Sequence, residues 1–299
     1  MRRFLLVLLV AGAAGSAAHA ALQAHLVAKI AVARYSSPCA ASAGGRFVWV
    51  AEYSQSYLVR VDPHTNKVVG KVKIGNGSCG LAYGAGAMWV EDTNSSTVSR
   101  VSVTTFKRRA IKVDAIPYDT TFAFGSAWTT AFGAGELDRI DPARNRVANR
   151  WRVGGATGVV GAFGSVWVTG LNGVERIDPA SKKVLATIPV TGGASWTAAS
   201  PDSVWVTTAT GLARIDPQSN TISATVPLDG APKIGDPDFV GGMIWVPQIA
   251  ANSIAIVDPA SNTVVSTVHA GIGPFVITNI AGDAWVPSWH GSDIWRFSP

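Results

Sequence analysis

A tryptophan returns every 38 to 40 residues along this 299-residue chain, at Trp49, Trp89, Trp128, Trp167, Trp205, Trp245 and Trp285. Each return carries one phrase: "RFVWVAEYSQSYLVRVDP", "AMWVEDTNSSTVSRVSV", "SAWTTAFGAGELDRIDP", "SVWVTGLNGVERIDP", "SVWVTTATGLARIDP", "MIWVPQIAANSIAIVDP" and "DAWVPSWHGSDIWRFSP". A fixed period of this length means a repeat architecture, and the period alone would also admit stacked helix pairs. The interior of the unit decides between them. Apolar and polar residues alternate two by two, and Gly, Pro, Thr and Val are too dense for helices.

Each unit therefore reads as four antiparallel strands. In the fourth, Gly158 to Phe163 is the innermost, Val166 to Thr169 the second, Val174 to Asp178 the third and Val184 to Val190 the outermost. Four strands per forty residues is a propeller blade, and seven units make an all-β, seven-bladed β-propeller. The last unit stops at Ser298-Pro299, one strand short, while "HLVAKIAVARYSSPC" near the start has the cadence of an outer strand leading into a first blade. The N-terminal strand is expected to complete the last blade, leaving no open sheet edge.

Two repeated features are scaffold. The Asp-Pro-x-x-Asn phrase at Asp62, Asp141, Asp216 and Asp258 is turn chemistry: Asp accepts local backbone hydrogen bonds, Pro fixes its torsion, and Asn66, Asn145, Asn220 and Asn262 tolerate a left-handed backbone. The marker tryptophans each bury roughly 150 to 250 Å². At about 25 cal/mol per Å² that is several kcal/mol apiece before entropy, enough to hold neighbouring blades together.

The ends of the chain bear on its location. Arg2 and Arg3, the apolar run Phe4 to Ala14 and the small residues Ala18-His19-Ala20 make residues 1–20 an export signal, with one propeller domain over 21–299. No later stretch reaches membrane-spanning length, so a secreted or periplasmic, monomeric protein without stable membrane insertion is expected. Loss of Arg2 and Arg3 takes the formal charge from +6 to +4. The remaining basic clusters, Lys107, Arg108, Arg109 and Lys112 and then Arg144, Arg146, Arg150 and Arg152, read as solvated outer edges that discourage strand pairing, not as a nucleic-acid surface.

The "VWV...RIDP...N" units resemble the seven-bladed propellers grouped with the virginiamycin B (streptogramin) lyases and the YVTN-repeat surface and periplasmic proteins, over nearly the whole mature chain. That resemblance implies a divalent cation and a histidine base at the channel mouth, with a glutamate after a "WFTE"-like strand. Glu52 in "VWVAE" matches the glutamate. The loops leading into the innermost strands, "SSPC", "GSCG", "IPYD", "GATG", "GASW", "KIGDPD" and "IGPF", carry no matching histidine, which leaves His290 as the one histidine expected on that face.

Strand order puts those loops, and the loops between second and third strands, on one mouth face. Its candidate ligand-binding residues are Tyr53, Tyr118, Phe132, Trp196, Phe275, Trp289 and His290, able to stack on a small molecule, glycan or peptide or else to cap the core. Acidic residues on the same face are Glu52, Glu91, Asp92, Asp119, Asp236, Asp238 and Asp293. No cofactor motif occurs. Mg or Ca is the one cofactor possibility, through the metal candidates Glu52, Asp236 and Asp238, and His290 and Glu52 are the catalytic candidates. Cys39 and Cys79 each stand ten residues before a marker tryptophan, which in an exported chain points to a disulfide between neighbouring innermost strands; diverging strands would leave free thiols instead. The main expectation is a non-catalytic ligand-binding propeller. Its rivals are a metal-assisted lyase or lactone hydrolase and an envelope scaffold.

Overall fold

The computed structural model describes residues 24–228 and 233–299, so the export signal expected over residues 1–20 lies outside the described residues. Seven antiparallel four-stranded sheets stand around a central channel. Blade 1 runs from Pro38 to Lys73, blade 2 from Ser78 to Lys112, blade 3 from Pro117 to Arg152 and blade 4 from Val159 to Ile188. Blade 5 spans Thr197 to Pro227 and blade 6 Asp238 to His269. Blade 7 takes three strands from Thr278–Ser298 and its outermost from His25–Ala31. That last pairing, from His25 opposite Ser298 to Ala31 opposite Asp293, closes the ring as the sequence predicts.

Each strand's burial follows its place in the blade. Second strands such as Ser165–Gly170 are buried throughout because blades cover both their faces, and they read as unbroken apolar or small residues. Outermost strands such as Arg146–Arg152 alternate exposed and half-buried residues, and the basic clusters sit there and on Arg108–Lys112. The hairpins between first and second strands turn on pairs with positive φ, Phe124-Gly125 and Phe163-Gly164 among them, the two-residue geometry that matches strand twist. Asn66, Asn145, Asn220 and Asn262 hold φ of 53 to 57°, the left-handed positions expected of them.

The indole rings are the seams. Trp49 packs on Met88, Val90 and Val101 of blade 2, Trp128 on Val166, Val168 and Ile177 of blade 4, and Trp285 of blade 7 on Val48, Val50 and Val61 of blade 1. All seven marker rings are at most 1% exposed. Most donate their indole N–H to the end of their own innermost strand, as Trp167 Nε1 does to Ala162 O at 3.0 Å.

A second seam device lies in the arginine of the "RIDP" phrase. Arg176 of blade 4 lies over Trp167, with its guanidinium carbon 4.8 Å from the ring centroid. Its Nη1 donates to Pro217 O at 2.6 Å and to Asn220 Oδ1 at 2.9 Å in the turn of blade 5. Arg100, Arg214 and Arg296 grip the Pro carbonyl and the Asn of the following blade in the same way, and Arg139 grips Pro179 O. The Asp-Pro-x-x-Asn phrase is thus both turn and receptor.

Candidate functional site

The mouth face is built from two kinds of position. Tyr118, Trp196 and Phe275 stand where the chain enters an innermost strand, while Tyr53, Phe132, Trp289 and His290 follow second strands. The fold brings all seven into one run. Phe132 meets Tyr118 with ring centroids 5.6 Å apart, Tyr118 stacks on Trp196 at 5.3 Å, and Trp196 meets Phe275 edge-on at 5.0 Å. Phe275 stacks on Trp289 at 5.0 Å, which in turn meets Tyr53 at 6.2 Å and His290 at 4.8 Å. Such contacts are worth about 0.5 to 1.5 kcal/mol each beyond area burial.

The run has a floor and a rim. Trp196 and Phe275 are 7% and 8% exposed and pack with Cys39, Ala40, Cys79, Ile249 and Val276, so these two rings cap the core. Phe132 is 47% exposed, His290 is exposed, and Tyr53, Tyr118 and Trp289 are half-buried. The accessible stacking surface is therefore the rim.

Beneath the rings, the innermost strands enclose a channel cavity of about 270 Å³. Neighbouring strands approach closely there: a Cβ on Gly80 would stand 2.8 Å from Asp119 Cα, and one on Gly158 2.8 Å from Ser195 O. Cys39 and Cys79 form a disulfide across the first two of these strands, with Cα atoms 5.0 Å apart. In blades 2 to 5 a side chain two residues after the marker tryptophan ties the strand starts together. Glu91 Oε1 accepts from the N–H of Cys79 and Gly80 at 2.7 and 2.6 Å, Thr130 Oγ1 from Asp119 N, Thr169 Oγ1 from Gly158 N and Thr207 Oγ1 from Trp196 N. The signal in the sequence is Glu or Thr at that offset in blades 2 to 5, against Ala51, Pro247 and Pro287 in the others.

Three carboxylates reach the cavity: Asp119, Asp236 and Asp238. Asp119 accepts from Thr120 N and, across the seam, from Val159 N; Asp238 accepts from Phe239 N and, across the next seam, from Asn279 N. Burial pushes Asp119 and Asp238 up to about 6, against the pull of those backbone N–H groups. Asp236 is pushed well above the usual carboxylate range, by burial first and then by the facing charges of Asp119 and Asp238.

The other candidates stand elsewhere. Glu52 is fully buried at the end of a second strand, beside the Ser36 hydroxyl and outside the cavity wall, and burial raises its carboxyl. The metal candidates Glu52, Asp236 and Asp238 are thus divided between two environments. The catalytic candidates are likewise apart, Glu52 sealed and His290 on the rim. Sequence reasoning missed a further trio, Asp114, Glu136 and Asp138, whose oxygens lie within 4.8 Å of one another. Arg150 sits among them, bound to Asp114 and 3.2 Å from Asp138 Oδ1, so an arginine already occupies that cluster. Asp138, raised to about 7 chiefly by burial, lies opposite Arg150 in the strand register, a pairing visible only once the sheet is aligned.

No known protein-family profile matches the chain, and no curated protein matches it in sequence. Solved structures do resemble it. Virginiamycin B lyase from Staphylococcus aureus superposes with a TM-score of 0.79 at 15% identity, covering 91% of this chain and 98% of that one. A streptogramin B lyase gives 0.76 at 14% identity over 92% and 96%, and hydrazine synthase from Kuenenia stuttgartiensis 0.75 at 15% over 90% and 97%. The likeness to lyase structures agrees with the resemblance read from the repeats, and at this identity it establishes the seven-bladed fold. Among the described residues no helix is long and apolar enough to cross a membrane.

Proposed function

We propose that this chain is an exported, single-domain propeller that binds a small molecule, glycan or peptide on the rim of its channel mouth, without catalysing a reaction on it. The observation that carries the reading is the unbroken run from Phe132 to Tyr53, in which buried Trp196 and Phe275 fix the rings, and exposed Phe132 and His290 with half-buried Trp289 form the rim. A preformed aromatic surface binds at low ordering cost. The disulfide supports a location outside the reducing cytoplasm, with the signal cleaved after Ala20.

The catalytic candidates of the lyase reading, Glu52 and His290, stand in separate environments. A general base must come within hydrogen-bond reach of the proton it takes, whereas Glu52 is enclosed and His290 points its ring along Trp289.

The test is a fluorescence-detected screen of glycans, peptides and aromatic metabolites against the mature chain, followed by Trp289→Ala and Tyr53→Ala. Both residues are half-buried, so the variants keep the fold. A ligand found by the screen should bind at least tenfold more weakly to each. Unchanged affinity in both would remove the rim from the site.

A further inference from the structure

The channel under the aromatic run holds three carboxylates, and among the described residues no Lys, Arg or His lines it. Charge withdrawn from water is costly unless a partner compensates it. Asp119 and Asp238 are compensated in part by two backbone N–H groups each. Asp236 is compensated less, by the Thr197 backbone N–H alone, and its Oδ1 is buried without a hydrogen-bond partner. On the same wall Thr197, 7% exposed, also has an unpartnered hydroxyl, and the Thr197 backbone N–H faces the Asp236 carboxylate. Two polar oxygens without partners, a carboxylate's and a hydroxyl's, thus belong to the lining of one acidic cavity.

The geometry discriminates between cations. A directly coordinated metal needs several oxygens about 2.0 to 2.6 Å from one point, which brings them close to one another. Among the described residues the acidic trio that meets this closeness is Asp114, Glu136 and Asp138, not the channel trio. The roof of the cavity is instead made of Tyr118, Trp196 and Phe275, whose ring faces attract ammonium groups. A primary ammonium brings three N–H donors for the unpaired acceptors, and a quaternary one brings none. A cavity of about 270 Å³ suits a small amine or the amino end of a longer ligand.

We propose that the channel binds a protonated primary amine, its ammonium donating to Asp236 Oδ1 and Thr197 Oγ1 between Asp119 and Asp238, with its carbon chain against Tyr118, Trp196 and Phe275. The proposal rests on the mouth being a binding face, because these three rings border both rim and channel. It narrows the ligand to one carrying an amino group, such as an amino sugar or a peptide amine. Bound ammonium would relieve the repulsion among three facing carboxylates that the protein itself leaves unrelieved.

The experiment is calorimetric titration of the mature protein at pH 7.5 with n-butylammonium, n-butanol, Mg²⁺ and Ca²⁺ in turn. Saturable one-site binding of butylammonium is expected, with none of butanol. Asp236→Asn and Thr197→Val, checked for an unchanged circular dichroism spectrum, should each weaken it at least tenfold. Arg109→Ala, on the exposed outermost strand of blade 2, should stay within twofold. Absence of saturable amine binding, binding that both channel variants leave intact, or binding of Mg²⁺ or Ca²⁺ alone with loss in Asp236→Asn would each overturn the proposal. Amine binding through Asp236 without any Trp289-dependent ligand would sink the rim reading alone. A Trp289-dependent ligand without amine binding would sink the channel inference alone.

Discussion

Replacing Arg176 by Met tests whether the arginine of the repeated phrase holds blades together. Met keeps an apolar stem over Trp167 and removes every donor. Lost are the bonds to Pro217 O at 2.6 Å, Asn220 Oδ1 at 2.9 Å, Ser165 Oγ at 2.9 Å and Phe163 O at 3.3 Å, together with the cation-π contact. Hydrogen bonds to charged groups contribute about 1.5 to 3 kcal/mol each and are not additive when one group makes all of them. With about 0.5 to 1 kcal/mol for the ring contact, the substitution should cost about 3 kcal/mol. The internal control is Arg60 of blade 1. Its guanidinium rests on Phe106 with its central carbon 3.8 Å from the centroid; its Nε has no hydrogen-bond partner, because Phe47 stands in its own blade where Ser165 receives Arg176 Nε, and blade 2 carries "VTTF" in place of the Pro-x-x-Asn acceptors. Arg60→Met should cost about 1 kcal/mol. Urea unfolding followed by tryptophan fluorescence and circular dichroism, with slopes compared so that blade-by-blade unfolding is detected, measures both. A double-mutant cycle with Asn220→Ala should return about 1 kcal/mol of coupling. If Arg176→Met costs no more than Arg60→Met, or if the cycle shows no coupling, the arginines are ornament on a ring held by apolar packing alone.

Two further outcomes follow from the same coordinates. Cys39→Ser with Cys79→Ser frees a loop closed across a sequence separation of 40. Chain entropy sets the loss at about 4 kcal/mol, read as a lower urea midpoint that reductant reproduces in the unaltered protein and does not deepen in the variant; equal midpoints with and without the bond would refute it. The channel carboxylates give stability a pH slope. In the unfolded chain Asp119 and Asp238 release their protons near 3.8, while in the folded channel burial holds them to about 6. Between those values the folded state binds more protons, so stability is greatest at the acid side and falls as pH rises towards 6, by on the order of 3 kcal/mol for each group. In chelator-treated protein the urea midpoint should fall from pH 4.5 to 7 more steeply than in Asp119→Asn with Asp238→Asn, and parallel slopes would contradict the burial argument.

The ring was legible because its determinants are local and repeated. Trp49 to Trp285 fix the period, positive-φ asparagines fix the turns, and the truncated last unit announces a borrowed strand, each within a few residues of chain. The aromatic run was legible for a related reason: strand order alone places Tyr118, Trp196 and Phe275 on the same face as Tyr53, Phe132 and Trp289. What strand order does not give is depth. Nothing in the sequence separates Trp196, which closes the core, from Trp289, which lies on the rim. Nor does it show that Glu52 turns into its own blade while Asp119, from the opposite side of the ring, joins Asp236 and Asp238 in the channel. Those outcomes depend on which innermost strands face one another, a distance of about 120 residues in sequence.

The irregular units are as informative as the regular ones. Five arginines reach the turn of the next blade, so five of seven seams have this tie. Blade 6 has Ile256 at the arginine's place, and there Trp245 packs on Ala284, Val286 and Phe297 of blade 7. Blade 1 has the arginine but meets "VTTF", with no Asp-Pro turn to receive it. That seam, between blades 1 and 2, is the one that Cys39 and Cys79 cross. The covalent bond therefore stands where the polar tie is missing, and at the channel wall rather than the outer rim where the arginines act. A ring is only as closed as its weakest seam, since one opening exposes two blade faces to water. On this argument the cysteines belong to the closure of the propeller, and the binding chemistry is left to the rings and carboxylates beside them.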